Sequence, residues 1–90
     1  MPRYIVERDV DIASFTPEQV MEAGRLAAQV AQEMPGVTWV KSYISEAEGK
    51  IYCEFEAPGV EEIYEHSRRS GLPVLRISTV SAEVNPSMFL

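Results

Sequence analysis

Residues 50–56 read KIYCEFE, and side chains of opposite character alternate along the whole stretch. One set is Ile51, Cys53 and Phe55, and the other is Tyr52, Glu54 and Glu56. Because successive side chains of a strand point to opposite faces, this period of two predicts a β-strand with one face in a core. On such a strand Cys53 is expected to be a buried core thiol.

A second strand is predicted just before this one, at residues 37–44. The polar turn SEAEG at residues 45–49 joins the two, so they are predicted to form an antiparallel hairpin. Regular alternation along residues 37–44 places Trp39 and Tyr43 on one face of the strand. Val40 and Ile44 are expected on the other face.

The most specific local signal in the chain is TPEQ at residues 16–19. The threonine suits an N-cap, the proline suits the first helical position, and the glutamine is placed to complete a capping box. Apolar residues then recur at helical spacing as far as Met34, where a Pro-Gly pair favours a stop. We predict the first helix at residues 17–34.

A second helix is predicted from Val60 to the residue before Gly71. Glutamates lie in its first turn and arginines in its last, and both charge signs suit the helix dipole. Its inward stripe is predicted to consist of Val60, Ile63, Tyr64 and Ser67.

Two further strands complete the pattern, the first at residues 3–9 and the last at residues 77–85. The order β-α-β-β-α-β predicts an α+β fold of the ferredoxin-like type. It is a sandwich in which two helices cover one face of a four-stranded antiparallel sheet. We expect residues 1–90 to form this single domain.

This arrangement leaves one face of the sheet without helices, and we call it the open face. It is expected to carry Trp39, Tyr43 and Tyr52, an apolar patch that is unusual on a free domain. Burial against a second copy would remove this patch from water, so we expect a homodimer that pairs through the open face.

Composition excludes several classes of partner. Fourteen acidic residues against eight basic ones give a net charge of −6, whereas nucleic-acid binding needs a concentrated basic surface. The single cysteine cannot form an internal disulfide. No apolar run reaches the length of about 18 residues that suggests a membrane span, and no signal-peptide pattern is present. We therefore expect a cytoplasmic protein without a membrane or nucleic-acid partner.

Four stretches together resemble a known bacterial family: MPRYIVER at residues 1–8, WVKSYI at 39–44, KIYCEFEAP at 50–58 and EHSRRSGLP at 65–73. The family consists of short proteins catalogued as a domain of unknown function. Its structurally described branch is a nickel-binding cytosolic protein with a ferredoxin-like fold and a dimeric assembly. The resemblance covers nearly the whole chain, and it implies this fold, a dimer and a divalent metal such as nickel as the cofactor.

The nickel-binding branch has histidines near the end of strand one and on both sides of the end of helix two. Here His66 matches the first of the helix-two positions. Leu72 stands where the resemblance implies another histidine, and strand one carries Glu7 and Arg8 instead. The resemblance alone therefore does not carry nickel binding over to this chain.

The candidate metal ligands are His66 and the carboxylates of Glu7, Glu54 and Glu56. The two glutamates of residues 50–56 share a strand face, and strand one is their neighbour in this fold, so Glu7 can join them. Such nitrogen and oxygen ligands suit a divalent ion. In the alternative interpretation, His66 stabilises a helix C-terminus and the carboxylates lie on a solvated face with Lys41 as counter-charge.

Proton transfer is the other chemistry that these residue types support, with His66 and Glu54 as candidate catalytic groups. Tyr43, Tyr52 and Trp39 would then bind a small molecule between the open face and the dimer partner, unless they serve only as interface packing. No motif names an enzyme class. Two hypotheses stand: a dimeric metal-binding protein, and a small-molecule-binding protein or isomerase- or cyclase-type enzyme. If helix two lies wholly on the other side of the sheet, His66 and the glutamates belong to different sites.

Overall fold

In the computed structural model, which describes residues 1–90, strands and helices follow in the order β-α-β-β-α-β. They are β1 (Arg3–Asp9), α1 (Pro17–Glu33), β2 (Thr38–Ser45), β3 (Lys50–Glu56), α2 (Val60–Ser70) and β4 (Arg76–Thr79). Two short 3-10 turns occur at Ile12–Ser14 and Pro86–Phe89. Neither α1 nor α2 has the length and apolar character that crossing a membrane requires.

The four strands form one antiparallel sheet in the order β2-β3-β1-β4. This confirms the predicted ferredoxin-like α+β fold. A single core joins the sheet to both helices, because residues of β1 and β3 are buried together with residues of α1 and α2. Its ten buried residues are Tyr4, Val6, Val30, Ala31, Met34, Val37, Cys53, Phe55, Ala57 and Ile63.

Helix α1 begins as its sequence predicts. The Thr16 hydroxyl accepts a hydrogen bond from the Gln19 backbone N–H at 3.1 Å, and the Gln19 side chain accepts one from the Thr16 N–H at 2.8 Å. Two N–H groups that the first turn would leave unpaired are thereby satisfied. The helix ends at Glu33 with Met34 as its C-cap.

Helix α2 buries only part of the predicted stripe: Ile63 and Ser67 are buried as predicted. Val60 and Tyr64 are exposed, so their predicted inward position is wrong. The buried residues of the helix are Ile63, His66, Ser67 and Ser70. Three of these four are polar. Apolar side chains at helical spacing therefore predict the wrong set of buried residues in this helix.

A β-bulge in β2 changes the predicted faces of this strand. Trp39 pairs with Phe55, but the next pair in the ladder is Lys41 with Glu54, so Val40 is an extra residue. Trp39 therefore lies on the helix side, where it packs against the core, whereas Tyr43 pairs with Tyr52 on the open face. The prediction that Trp39 and Tyr43 share one face is wrong.

Strand β4 is shorter than predicted. It pairs with β1 only from Arg76 to Thr79. One more hydrogen bond follows this pairing, from the Val80 N–H to the Arg3 carbonyl at 2.9 Å. Because β1 begins at Arg3, no strand partner remains for residues 81–85.

We expect Ile63→Ala to destabilise the fold by about 2–5 kcal/mol, because this side chain is fully buried and its removal leaves a cavity. Urea denaturation followed by circular dichroism measures the loss. Val60→Ala on the exposed face of the same helix is the matched control, with an expected change within about 0.5 kcal/mol. Equal losses in the two variants would contradict the observed helix orientation.

Candidate functional site

Adjacent residues of β1 point to opposite sides of the sheet. Glu7 lies on the open face, and Arg8 points into the core and is 0% exposed. The Arg8 guanidinium donates through Nη1 to the Ser67 hydroxyl and to the Pro73 carbonyl, both at 2.9 Å. Its Nε donates to Cys53 Sγ at 3.4 Å. A charged side chain thus links β1 to β3, α2 and the segment after α2.

His66 is also 0% exposed. Its Nε2 lies 2.9 Å from the Ala27 carbonyl oxygen, which can only accept, so Nε2 carries the proton and donates. The edge-to-face contact with Phe55 has a centroid distance of 4.8 Å. Burial lowers the pKa of His66 below its usual value, and the nearby charge of Arg8 lowers it further. The imidazole is therefore neutral at pH 7, and it ties α2 to α1.

The candidate carboxylates lie on the open face and are held by arginines. Arg3 binds Glu54 at 2.8 Å and Glu56 at 3.1 Å. Arg76 binds Glu7 at 3.4 Å. The side chains of Glu54 and Glu7 are only 13% and 19% exposed, respectively. They are therefore partly desolvated within a single chain.

Two tyrosines and a lysine form the rest of the open-face site. Tyr43 pairs with Tyr52 across β2 and β3. The Nζ of Lys41 lies 5.6 Å from the centre of the Tyr43 ring, and its interaction with the Tyr43 hydroxyl is the main cause that raises the pKa of Lys41. Lys41 is the one basic side chain of this face without a carboxylate partner.

The sheet separates the predicted site residues into two groups. His66 lies inside with Arg8, whereas Glu7, Glu54 and Glu56 lie on the other face. No three His, Cys, Asp or Glu side chains come close enough to hold a metal ion. The residues of one chain therefore do not fit a nickel centre built on His66 and these carboxylates. His66 and Glu54 likewise cannot act on one substrate in this arrangement.

Trp39 is separated from the two tyrosines as well. It lines a hollow of about 290 Å³ between α1 and β2, together with Ala28, Ala31, Gln32, Val37 and Thr38. This hollow lies on the helix side of the sheet. A ligand between Tyr43 and Tyr52 therefore does not contact Trp39.

Arg8 is the residue that pattern reading missed. It follows Tyr4 and Val6 at a spacing of two, and both of these are buried. The parity of β1 alone therefore predicts that Arg8 points inward. A charged residue on the core side of a strand is the signal that identifies this buried group.

These features define a protein class: a ferredoxin-like α+β protein with a charged, open sheet face and a buried arginine–histidine pair beneath its second helix. A family model described as "Nickel responsive protein SCO4226-like" matches residues 4–80. The chain therefore belongs to the SCO4226-like family.

A solved structure gives the same fold. The crystal structure of SCO4226 from Streptomyces coelicolor A3(2) superimposes with a TM-score of 0.76 at 20% sequence identity. The match covers 91% of this chain and 99% of that one. No curated protein matches the chain.

We expect acidification to weaken the fold through His66. The pKa of His66 is lower in the folded state than its ordinary value of 6.5, so the unfolded chain binds more protons between these two values. The contribution of His66 to stability is complete above pH 6.5 and is lost as the pH falls below it. Urea denaturation at about pH 7.5 and about pH 5.5, on either side of the ordinary histidine pKa, measures the difference.

The control is His66→Gln, which retains an N–H donor but does not titrate in this window. Its free energy of unfolding is expected to change less between the two pH values. Glu65 does not interfere, because Arg68 and Arg69 lower its pKa from 4.5 to about 2, so its contribution is lost only below pH 4.5. Equal pH dependence in both proteins would rule out His66 as the cause.

Proposed function

We propose that this protein is a metal-responsive homodimer that holds a divalent cation on the open face, between two copies of the chain. The observation that carries the proposal is the position of three partly desolvated carboxylates, Glu7, Glu54 and Glu56, on neighbouring strands β1 and β3. Carboxylate oxygens are common ligands of divalent ions. Membership of a family described as nickel responsive supports a metal as the ligand.

Two copies are needed because one chain supplies no complete set of ligands. In a two-fold dimer the same surface patch of both chains meets, and each carboxylate then occurs twice at the interface. The open face suits such a contact, because its basic and acidic side chains alternate. The basic residues are Arg3, Lys41, Lys50 and Arg76, and they lie among Glu7, Asp9, Glu54 and Glu56.

Arg3 is the main competitor of a bound cation. It contacts Glu54, Glu56 and Glu83 at distances of 2.8, 3.1 and 3.0 Å, respectively. A cation must therefore displace this guanidinium from the carboxylates it binds. With His66 buried on the other side of the sheet, the ligand atoms are oxygens, which suit hard or intermediate divalent ions in general.

The first prediction from this proposal concerns the assembly. Multi-angle light scattering of the purified protein is expected to give twice the chain mass of 10.1 kDa. Tyr43→Glu adds a charge on the β2 side of the open face, where 61% of Tyr43 is exposed in the single chain, and is expected to yield monomer. Val60→Glu, on the outer side of α2, is the matched control and should remain dimeric. A monomeric parent protein would contradict the proposal.

The second prediction concerns the metal. Isothermal titration with Ni²⁺, Mn²⁺ and Zn²⁺ after chelator treatment is expected to show binding that Glu54→Gln weakens by at least about tenfold. Arg3→Gln should strengthen it, because the carboxylates lose their competitor. His66→Gln and Glu22→Gln should bind like the parent protein, since neither residue lies on the open face. Loss of binding in His66→Gln, with binding unchanged in Glu54→Gln, would overturn the placement of the site.

A small-molecule site on the same face is the second candidate. The Lys41 ammonium over the Tyr43 ring provides a cation beside an aromatic surface, which suits an aromatic or anionic ligand. Glu54 would then be the candidate acid or base. Chelator-treated protein that forms dimers and binds no metal, but binds such a ligand through Lys41 and Tyr52, would favour this alternative.

A further inference from the structure

Arg8 differs from every other arginine of the chain. Arg3, Arg25, Arg68, Arg69 and Arg76 each contact a glutamate and lie at least partly in solvent. Arg8 is fully buried and contacts no carboxylate. A buried charge without a partner of opposite sign costs several kcal/mol, against a total stability of about 5–15 kcal/mol for a domain.

The hydrogen bonds of Arg8 leave one side of its guanidinium unused. Nε donates to a thiol, and Nη1 donates to a hydroxyl and to a carbonyl. All three acceptors are neutral, so they satisfy N–H groups without balancing the charge. Nη2 is buried and has no partner, although it carries two N–H donors.

A second unpaired polar atom lies in the same region. His66 Nδ1 is buried and has no hydrogen-bond partner. Because the proton of the ring is on Nε2, Nδ1 is an acceptor. Both side chains contact Phe55: the Arg8 Cζ lies 6.0 Å from its ring centre and the His66 ring lies 4.8 Å from it. The protein interior beneath α2 thus holds one unused cationic donor and one unused acceptor.

None of the chain's own acidic groups can neutralise Arg8. Its neighbour Glu7 points to the opposite side of the sheet and is bound by Arg76. Glu54 lies on that side too, bound by Arg3. Glu65, which precedes His66, is bound by Arg68 and Arg69 on the outer side of α2. A negative charge beside Arg8 would therefore come from outside the chain.

We propose that Arg8 anchors an internal binding site for a small monovalent anion, a halide or a small carboxylate, held by Nη2 beneath α2. The anion supplies both the acceptor that Nη2 lacks and the charge that Arg8 lacks, whereas a water molecule supplies only the acceptor. The site takes a small ligand because Arg8 and His66 expose no surface. It is separate from the cation site proposed on the open face and does not depend on it.

The test compares urea denaturation in sodium chloride, formate and gluconate at equal ionic strength, at about pH 7.5, where an ordinary histidine is neutral. Chloride and formate should stabilise the protein, and the bulky gluconate should not. Above the dissociation constant, the folding equilibrium constant should rise about tenfold for each tenfold rise in anion concentration. Arg8→Met should lose this dependence, and Arg25→Gln, an exposed ion-paired arginine, should retain it.

The unaltered protein also reports the anion, so the test does not depend on Arg8→Met alone. Chlorine-35 NMR should show line broadening that excess formate removes. Saturation with chloride should raise the pKa of His66, followed by its ring nitrogens in NMR, since the anion offsets the charge of Arg8. Equal stability in all three salts, or a His66 pKa that does not move with chloride, would overturn the proposal.

Discussion

Strands β1 and β3 pair over seven residues, from Arg3 opposite Glu56 to Asp9 opposite Lys50. This register places each of their side chains either among the helices or on the open face, because directly opposed residues share a side of the sheet. Val6, Arg8, Cys53 and Phe55 are thereby buried, and the glutamates are brought together on the other surface. A shift of one residue would exchange the two sets.

Local sequence signals were sufficient to predict the elements of the fold. The capping pattern at residues 16–19 marks the start of α1, and the alternation at residues 50–56 marks β3, because both interactions depend on residues close in sequence. The end of β4 depends instead on where β1 begins, which is set by pairing between distant residues. The bulge at Val40 has the same origin, since it is defined only by the register against β3.

The candidate site was harder to predict than the fold. Alternation along β3 places Glu54 and Glu56 on one face of that strand, and alternation along β1 places Glu7 on one face of its own strand. The register between β1 and β3 brings these two faces together. The position of His66 depends on the rotation of α2, and that rotation buries His66 and Ser70 in place of Val60 and Tyr64. Hydrophobic periodicity cannot reveal this, because polar residues stabilise the packing through hydrogen bonds. The family match identifies a family that is described as nickel responsive, and the structure shows that the sheet separates His66 from the carboxylates.

The bulge in β2 also changes the edge of the sheet. β2 is an edge strand, and a regular edge offers unpaired N–H and C=O groups on which the strands of other molecules can add without limit. With Val40 bulged out and Lys41 beside it, this edge is irregular and charged. Addition of further strands to this edge, and with it lateral growth of the sheet into fibres, is therefore disfavoured.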